Sequence, residues 1–207
     1  MSFSLRLMRK EELNEVAQVY DILFPIKYPI DAISRVLSPR FLSLVLVYSS
    51  DDEKNKNENY VKKEKIIGIS VSLRQWKSFW STEKDSHLCH IGVIPEFRRL
   101  HLCTDILRIT CRILKNHYHC SMMDLHMQKI NQAAYYFYTN FGFIPLETLP
   151  GYYTLPKDGA TAIHMKYDLT QSLSAELKNK IEIHHELAEM FEPTEKIDWL
   201  SSFFTFP

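Results

Sequence analysis

Between Ile91 and Leu107 the chain reads IGVIPEFRRLHLCTDIL: an apolar strand-like run, a proline break, the adjacent Arg98 and Arg99, and the opening turn of a segment with a helical apolar face. The first turn of a helix carries amides without intrahelical partners and the positive end of the helix dipole. That is worth about 0.3 to 1 kcal/mol toward a bound negative charge, and up to about 2 in favourable geometry. Two guanidinium groups ahead of such a turn outline an anion site. Spacing alone leaves open a plainer reading, in which these are surface arginines before an ordinary helix.

Histidine and cysteine crowd together twice, in His87-Leu88-Cys89-His90 and in His117-Tyr118-His119-Cys120. Neighbouring residues on a strand face opposite sides, and neither spacing is that of a structural zinc site, so no metal is expected. Cys89, Cys103, Cys111 and Cys120 show no CxxC spacing. The start, MSFSLRLMRKEE, meets charge before it builds an apolar signal core, so the thiols are read as the reduced ones of a cytoplasmic protein. His184-His185 reads as exposed helix surface.

The 207 residues, 45% hydrophobic and 24% charged, describe a folded chain of about one domain. Lys plus Arg equal Asp plus Glu at 25 each, so no net field recruits a polyanion and nucleic acid is not expected as a partner. None of the five glycines falls in a GxGxxG or GxxxxGK[ST] arrangement, which removes the common dinucleotide and P-loop cradles. No apolar run approaches the roughly 18 residues that a membrane span needs.

Periodicity supplies the elements that would position a site. Leu13, Val16, Ala17, Tyr20 and Leu23 recur at three and four, one face of a helix of three turns or so after a short N-terminal strand. Phe24-Pro25-Ile26-Lys27-Tyr28-Pro29 ends it, since proline removes a donor and biases its predecessor toward extended geometry. A short helix is expected from Ile30 to Leu37, and strands from Phe41 to Tyr48, Ile66 to Leu73 and His87 to Ile94. Residues 49–65, with five acidic and five basic side chains, read as a solvated hairpin insertion. Leu102, Ile106, Ile109 and Ile113 mark an amphipathic helix, Met122 to Met127 a strand, and Asn131 to Asn140 a helix that Asn131 can cap. Phe143 to Leu146 and Ala160 to Leu169 are further strands. A last helix is expected from Gln171 to Met190, leading into the aromatic tail IDWLSSFFTFP. This order implies an α/β (α+β) domain over residues 1–169 with mixed strand pairing, followed by a separate segment over 170–207.

Three groups of residues carry a resemblance. Val93-Ile94-Pro95-Glu96-Phe97-Arg98-Arg99, with Thr104 in the helix that follows, resembles the acetyl-coenzyme A motif of the GNAT acetyltransferases. Ala134-Tyr135-Tyr136-Phe137-Tyr138-Thr139-Asn140-Phe141-Gly142-Phe143 resembles that family's A-x-x-[FL]-Y-x-x-x-G-F helix and strand. Phe24 to Pro29 is similar to the FP[IV]xYP loop of the protein N-terminal acetyltransferases of the NatE and NatF types. Leu125-His126-Met127-Gln128 is similar to their LHV strand. Pro150-Gly151-Tyr152-Tyr153, followed by Lys157-Asp158-Gly159, resembles the paired-tyrosine hairpin of the NatF type.

The resemblance, which covers residues 3–169, implies the GNAT fold: a mixed, mostly antiparallel sheet of about seven strands, splayed at the cofactor site and flanked by about four helices. It implies an enzyme that moves acetyl from acetyl-coenzyme A directly to the α-amino group of a protein N-terminus, one retaining Met before an apolar or amphipathic residue. Ile91 and Val93 would pair with the pantetheine arm. Amides from Arg98 and Arg99 through His101, Leu102, Cys103 and Thr104 would hold the pyrophosphate, and Asn131 would also touch the cofactor. Phe24, Pro25, Ile26, Tyr28, Tyr152 and Tyr153 would line the peptide groove. Tyr138 would protonate the leaving thiolate. His126, with His87 where the family keeps a tyrosine, would take the amine proton directly or through water.

One departure bears on binding. The family writes R-x-x-G-x-G across the pyrophosphate turn, whereas this chain has His101 and Cys103 at the glycine positions; a side chain there must point away or clash. Either the loop adapts and His101 touches phosphate, or affinity is lost and the chain is a catalytically silent binding module. Acetylation of lysine or a small amine is the other alternative. An α-amine with a pKa of about 7.7 to 8.0 is already roughly a quarter neutral near pH 7.4, against about 0.1% for a lysine side chain, so it needs less help from a base. NatF-type enzymes attach to the cytosolic face of the Golgi membrane through a C-terminal extension. Here four Glu and two Lys between Gln171 and Met190 have the wrong sign for anionic lipid. Trp199, Leu200, Phe203, Phe204 and Phe206 are therefore expected to dock on the domain or a partner in preference to a membrane.

Overall fold

A computed structural model describes residues 2–50, 63–76, 84–154, 160–171, 177–188 and 190. Strands β1 (Ser2–Leu7), β2 (Phe41–Ser50), β3 (Lys63–Trp76), β4 (Lys84–Val93), β5 (Cys120–Gln128), β6 (Ile144–Leu149), β7 (Ala162–Asp168) and β8 (Ile181–Ile183) form one sheet in the order β6-β7-β5-β4-β3-β2-β1-β8. Neighbours are antiparallel except for β4 with β5 and β1 with β8. The helices are α1 (Leu13–Leu23), α2 (Ile30–Ser34, continued by a 3-10 turn over Arg35–Leu37), α3 (Leu102–Asn116), α4 (Gln132–Phe141) and α5 (His185–Ala188).

The middle of β2 and of β3 is buried residue after residue, from Leu42 to Val47 and from Ile66 to Ser72, which a sheet shows only where both faces are covered. Cross-strand partners share a face, and they assign the covers. Ser70 lies opposite Ile91 and its Oγ is 2.9 Å from Thr110 Oγ1, so α3 packs on that face. Gly92 looks the other way, where a Cβ would meet the Leu23 side chain at 3.0 Å, so α1 packs there. Glu15 of α1 accepts a hydrogen bond from the Ile66 amide at 2.8 Å.

Strand β4 has two irregularities. The register against β3 shifts between Val71 and Ser72, which pair with His90 and Leu88. The skipped residue, Cys89, is a bulge, and it turns His87 and His90 onto the same face, the one under α1. The second is the parallel ladder with β5, which runs from Lys84 opposite Cys120 to His87 opposite Asp124 and stops there. Both strands continue, to Val93 and Gln128, so they part beyond His87.

At the C-terminus the expected helix from Gln171 to Met190 is not formed. In its described part Ile181–Ile183 pairs parallel with Phe3–Leu5, and α5 spans four residues. The reason is tertiary. The alternating Ile181 and Ile183 complete an edge that β1 would otherwise leave open, and Ile181 and Leu187 are fully buried in the common core. The sheet thus has eight strands where about seven were expected, and the eighth, Ile181–Ile183, comes from the segment that follows residue 169. Residues 51–62 of the charged insertion, Lys157-Asp158-Gly159 and the aromatic tail lie outside the described residues. Among those described, no helix is long and apolar enough to cross a membrane.

Gly142 ends α4 at φ +116 and gives its N–H to the Tyr138 and Thr139 carbonyls. A Cβ there would meet the Tyr167 ring at 3.1 Å, whereas Gly151, at φ +69, has nothing within 4 Å. Gly142→Ala is expected to cost about 1 to 3 kcal/mol and Gly151→Ala less, read from urea midpoints at constant m value. A second expectation concerns His90, whose ring is enclosed by Tyr20, Phe24 and Tyr28 at centroid distances of 5.3, 5.4 and 5.2 Å. Burial, and then neighbouring His87, push its imidazole down to about 4, against about 6.5 in an unfolded chain. The unfolded state therefore binds the proton more readily. The contribution is complete above pH 6.5 and is lost as pH falls toward 4. Between pH 6.5 and 5 the loss is about 2 kcal/mol. His90→Phe should flatten that part of the stability profile in urea titrations, and an unchanged slope would refute the assignment.

Candidate active site

Where β4 and β5 part, the chain encloses a cavity of about 360 Å³. Ile91, Gly92 and Val93 of β4 form one wall, Leu23 of α1 and Phe137 of α4 contribute apolar surface, and Phe97, Arg98, Arg99 and the first turn of α3 close the end. Ile91, Val93, Arg98, Arg99, His101, Leu102, Cys103 and Thr104, which come from one continuous stretch of chain, all line this cleft. Asn131 and Tyr138 are not among its lining residues. The Asn131 side chain instead caps α4, accepting from the Ala134 amide at 3.0 Å.

The turn into α3 is built for an anion. Pro95–Phe97 makes a 3-10 turn, after which Arg99 and His101 both adopt left-handed backbone, at φ 63 and φ 60. His101 is the N-cap residue and makes no side-chain capping bond, so the first-turn amides are left for another partner. His101 does with a side chain what glycine does more cheaply, since the left-handed basin costs an L residue about 1 to 2 kcal/mol. Cys103 needs no such backbone; it sits in regular helix, half-buried against the core. Burial pushes its thiol up to about 12, with Arg98 pulling the other way, so it stays protonated and packs as a small apolar group. Arg98 folds back so that Nε donates to the Val93 carbonyl at 3.2 Å.

At the mouth of the parting strands lies a cluster of ionisable groups on one face. His87 is opposite Asp124, His126 opposite His164, and Glu147 opposite His164, while the reverse face of β5 and β7 buries Met123, Leu125, Met127, Met165 and Tyr167. The Asp124 carboxylate accepts from His87 Nδ1 at 2.7 Å and from His164 Nε2 at 3.1 Å. Burial works to raise its pKa, but the bonds and charge of His87, then of His164, outweigh this and hold it below the ordinary carboxylate value. His126 is sandwiched between Tyr152 and His164, with centroids 4.4 and 4.6 Å away and planes within 13° and 12°. Its Nδ1 is buried and meets no hydrogen-bond partner among the described residues. Burial, then His164 and His87, hold its imidazole below the usual range. Among the described residues no group of three or more His, Cys, Asp or Glu is arranged to hold a metal ion; stacked rings cannot converge their in-plane nitrogens on one point.

Across the cleft, Phe24 and Tyr28 pack 5.8 Å apart over His90, and Pro25 and Ile26 stand exposed at the rim. Tyr152 and Tyr153 meet edge to face at 5.0 Å. Burial, then Tyr152 and Tyr28, push the Tyr153 hydroxyl up to about 12. Burial and the nearby Cys103 and Tyr153 raise that of Tyr138. His90, Asp124, Glu147 and His164 were not anticipated from the sequence. For Asp124 a signal existed, because it stands two residues before His126 and period two places both on one face of a strand. For His164 and Glu147 none did, since only the register of β5, β7 and β6 joins them.

Residues 17–143 match the acetyltransferase (GNAT) family. An N-alpha-acetyltransferase of Saccharolobus solfataricus is 21% identical over 161 residues, which cover 75% of this chain and 89% of that protein. Among solved structures, Arabidopsis thaliana Naa50 in complex with the bisubstrate analogue CoA-Ac-MVNAL superposes with a TM-score of 0.65 at 18% identity, over 81% of this chain and 99% of that one. Arabidopsis thaliana NAA60 in complex with acetyl-CoA superposes with a TM-score of 0.67 at 15% identity, over 82% of this chain and 100% of that one. The structural likenesses at this identity speak for the fold, and the family match covers more than half of the sequence: this chain belongs to the acetyltransferase (GNAT) family.

Proposed function

We propose that this enzyme transfers acetyl from acetyl-coenzyme A to the α-amino group of a protein or peptide N-terminus. The observation that carries the reading is His126, whose Nδ1 is buried without a partner on the face that leads from the parted strands to Tyr152. A nitrogen so placed calls for a hydrogen-bonding group from outside the chain. The names of the relatives point the same way, and the analogue CoA-Ac-MVNAL bound to Naa50 supports a substrate that begins with Met.

The residues fit the cosubstrate. The uncapped first turn of α3, the left-handed backbone at Arg99 and His101, and two guanidinium groups suit a pyrophosphate. The edge of β4 from Ile91 to Val93, freed where the ladder ends, suits an amide-bearing arm. When bound, acetyl-coenzyme A supplies an acyl thioester open to attack by a neutral amine. The chain's own groups manage the protons. His126, held below the usual imidazole range, is neutral near pH 7 and accepts the amine proton directly or through one water. Asp124 is a positioning residue. A carboxylate only accepts, so His87 donates to it from Nδ1, which fixes how that ring stands beside His126. Tyr138, its pKa raised by burial, keeps its proton and is a donor for a departing thiolate. Phe24, Tyr28, Tyr152 and Tyr153 offer an apolar slot for a first residue such as Met.

The test is incubation with labelled acetyl-coenzyme A and peptides whose N-termini are free or blocked. Label is expected on free α-amines of peptides beginning with Met; label confined to lysine side chains overturns the proposal. His126→Ala should lower kcat by about 100-fold while coenzyme A binding, measured by titration calorimetry, is unchanged. Asp124→Asn, which offers one accepting oxygen to two rings, should lower kcat by about tenfold without raising KM for acetyl-coenzyme A. Equal kcat in the first variant removes His126 from the proton path.

A further inference from the structure

The turn that would meet the cofactor phosphates carries two left-handed L residues around Leu100, and neither is a glycine. What holds it comes from the far end of the chain. Asp105, in the first turn of α3, is fully buried. It accepts from the Lys178 amide at 2.9 Å, the Asn179 amide at 3.0 Å and Asn179 Nδ2 at 2.8 Å. The second hydrogen of the same Nδ2 goes to the Leu100 carbonyl at 2.7 Å. The segment that carries Asn179 is itself anchored, because Ile181–Ile183 pairs with β1 and the His184 amide donates to the Leu5 carbonyl at 3.0 Å.

In a planar trans peptide the C=O and the next N–H point in opposite directions. Drawing the Leu100 carbonyl toward Asn179 therefore turns the His101 N–H away from the C-terminal segment. We infer that Asn179, held by Asp105, is a positioning residue for coenzyme A: it locks the Leu100–His101 peptide so that its N–H faces the cavity that His101 lines, and so offsets the absence of glycine from the turn. The binding site on this view includes a residue outside the stretch 17–143 that matches the family. Preorganisation of this kind raises affinity by removing the cost of ordering the turn at the moment of binding.

The inference rests on the coenzyme A reading and not on the identity of the acceptor, so its test uses neither peptide nor turnover. Titration calorimetry with coenzyme A is expected to show about tenfold weaker binding in Asn179→Ala, a variant that leaves both backbone amides on Asp105. Urea unfolding checks that the variant is folded. Equal affinity in a folded variant overturns the brace, whereas wild-type protein that takes up no coenzyme A overturns the acetyl-transfer reading itself. A second measurement needs no variant. Coupling is reciprocal, so saturating coenzyme A should slow hydrogen exchange at the Lys178 and Asn179 amides of the wild type by about tenfold, although neither residue lines the cavity. Unchanged exchange there also overturns the brace.

Discussion

The interruption of one ladder organises this molecule. β4 and β5 pair in parallel only as far as His87 and Asp124 and then part. A strand edge deprived of its neighbour has amides and carbonyls that must find partners, and here they border a cavity that ends at the first turn of α3. The turn contributes unpaired amides of its own. One break in pairing thus aligns a polar backbone edge with a helix N-terminus, the combination that suits a long ligand with an anionic end. The same break exposes the side chains that stand at the fork.

Those side chains owe their arrangement to register. Alternation along β5 sends Leu125 and Met127 into the core and Asp124 and His126 into the cleft. The pairings with β7 and β6 then bring His164 and Glu147 to the same face. On β4 alternation alone would put His87 and His90 on opposite faces, and the bulge at Cys89 brings them together. They nevertheless meet different environments. His87 is tied to a carboxylate, whereas His90 is enclosed in aromatic rings and pushed down to about 4. Burial without a counter-charge produces the second condition, and a half-buried carboxylate within hydrogen-bonding reach produces the first.

The C-terminal region shows where local reading fails. From Gln171 to Met190 leucine, alanine and glutamate favour helix, and nothing in a window of that length opposes it. The competing force lies elsewhere, in the open edge of β1 and the buried carboxylate of Asp105, which bind Ile181–Ile183 and the amides of Lys178 and Asn179. Long-range hydrogen bonding of this kind overrides propensities of a few tenths of a kcal/mol per residue. The glycine positions of the phosphate turn are a second case. His101 and Cys103 looked equally obstructive in sequence, yet Cys103 occupies ordinary helix and only His101 needs a left-handed backbone.

By itself the sequence determined the elements and their order through β7, the cap at Asn131, the stop at Gly142 and the basic turn ahead of α3. Each of these depends on residues within a few positions of one another, where periodicity and backbone sterics act directly. Tertiary structure alone decided that His164 and Glu147 join Asp124 and His126 on one face, that the parting of β4 and β5 falls just beyond His87, and that Asn179 reaches the Leu100 carbonyl. Those relations join residues dozens of positions apart. They follow from strand register and from the need to satisfy buried polar groups, neither of which a local stretch of sequence contains.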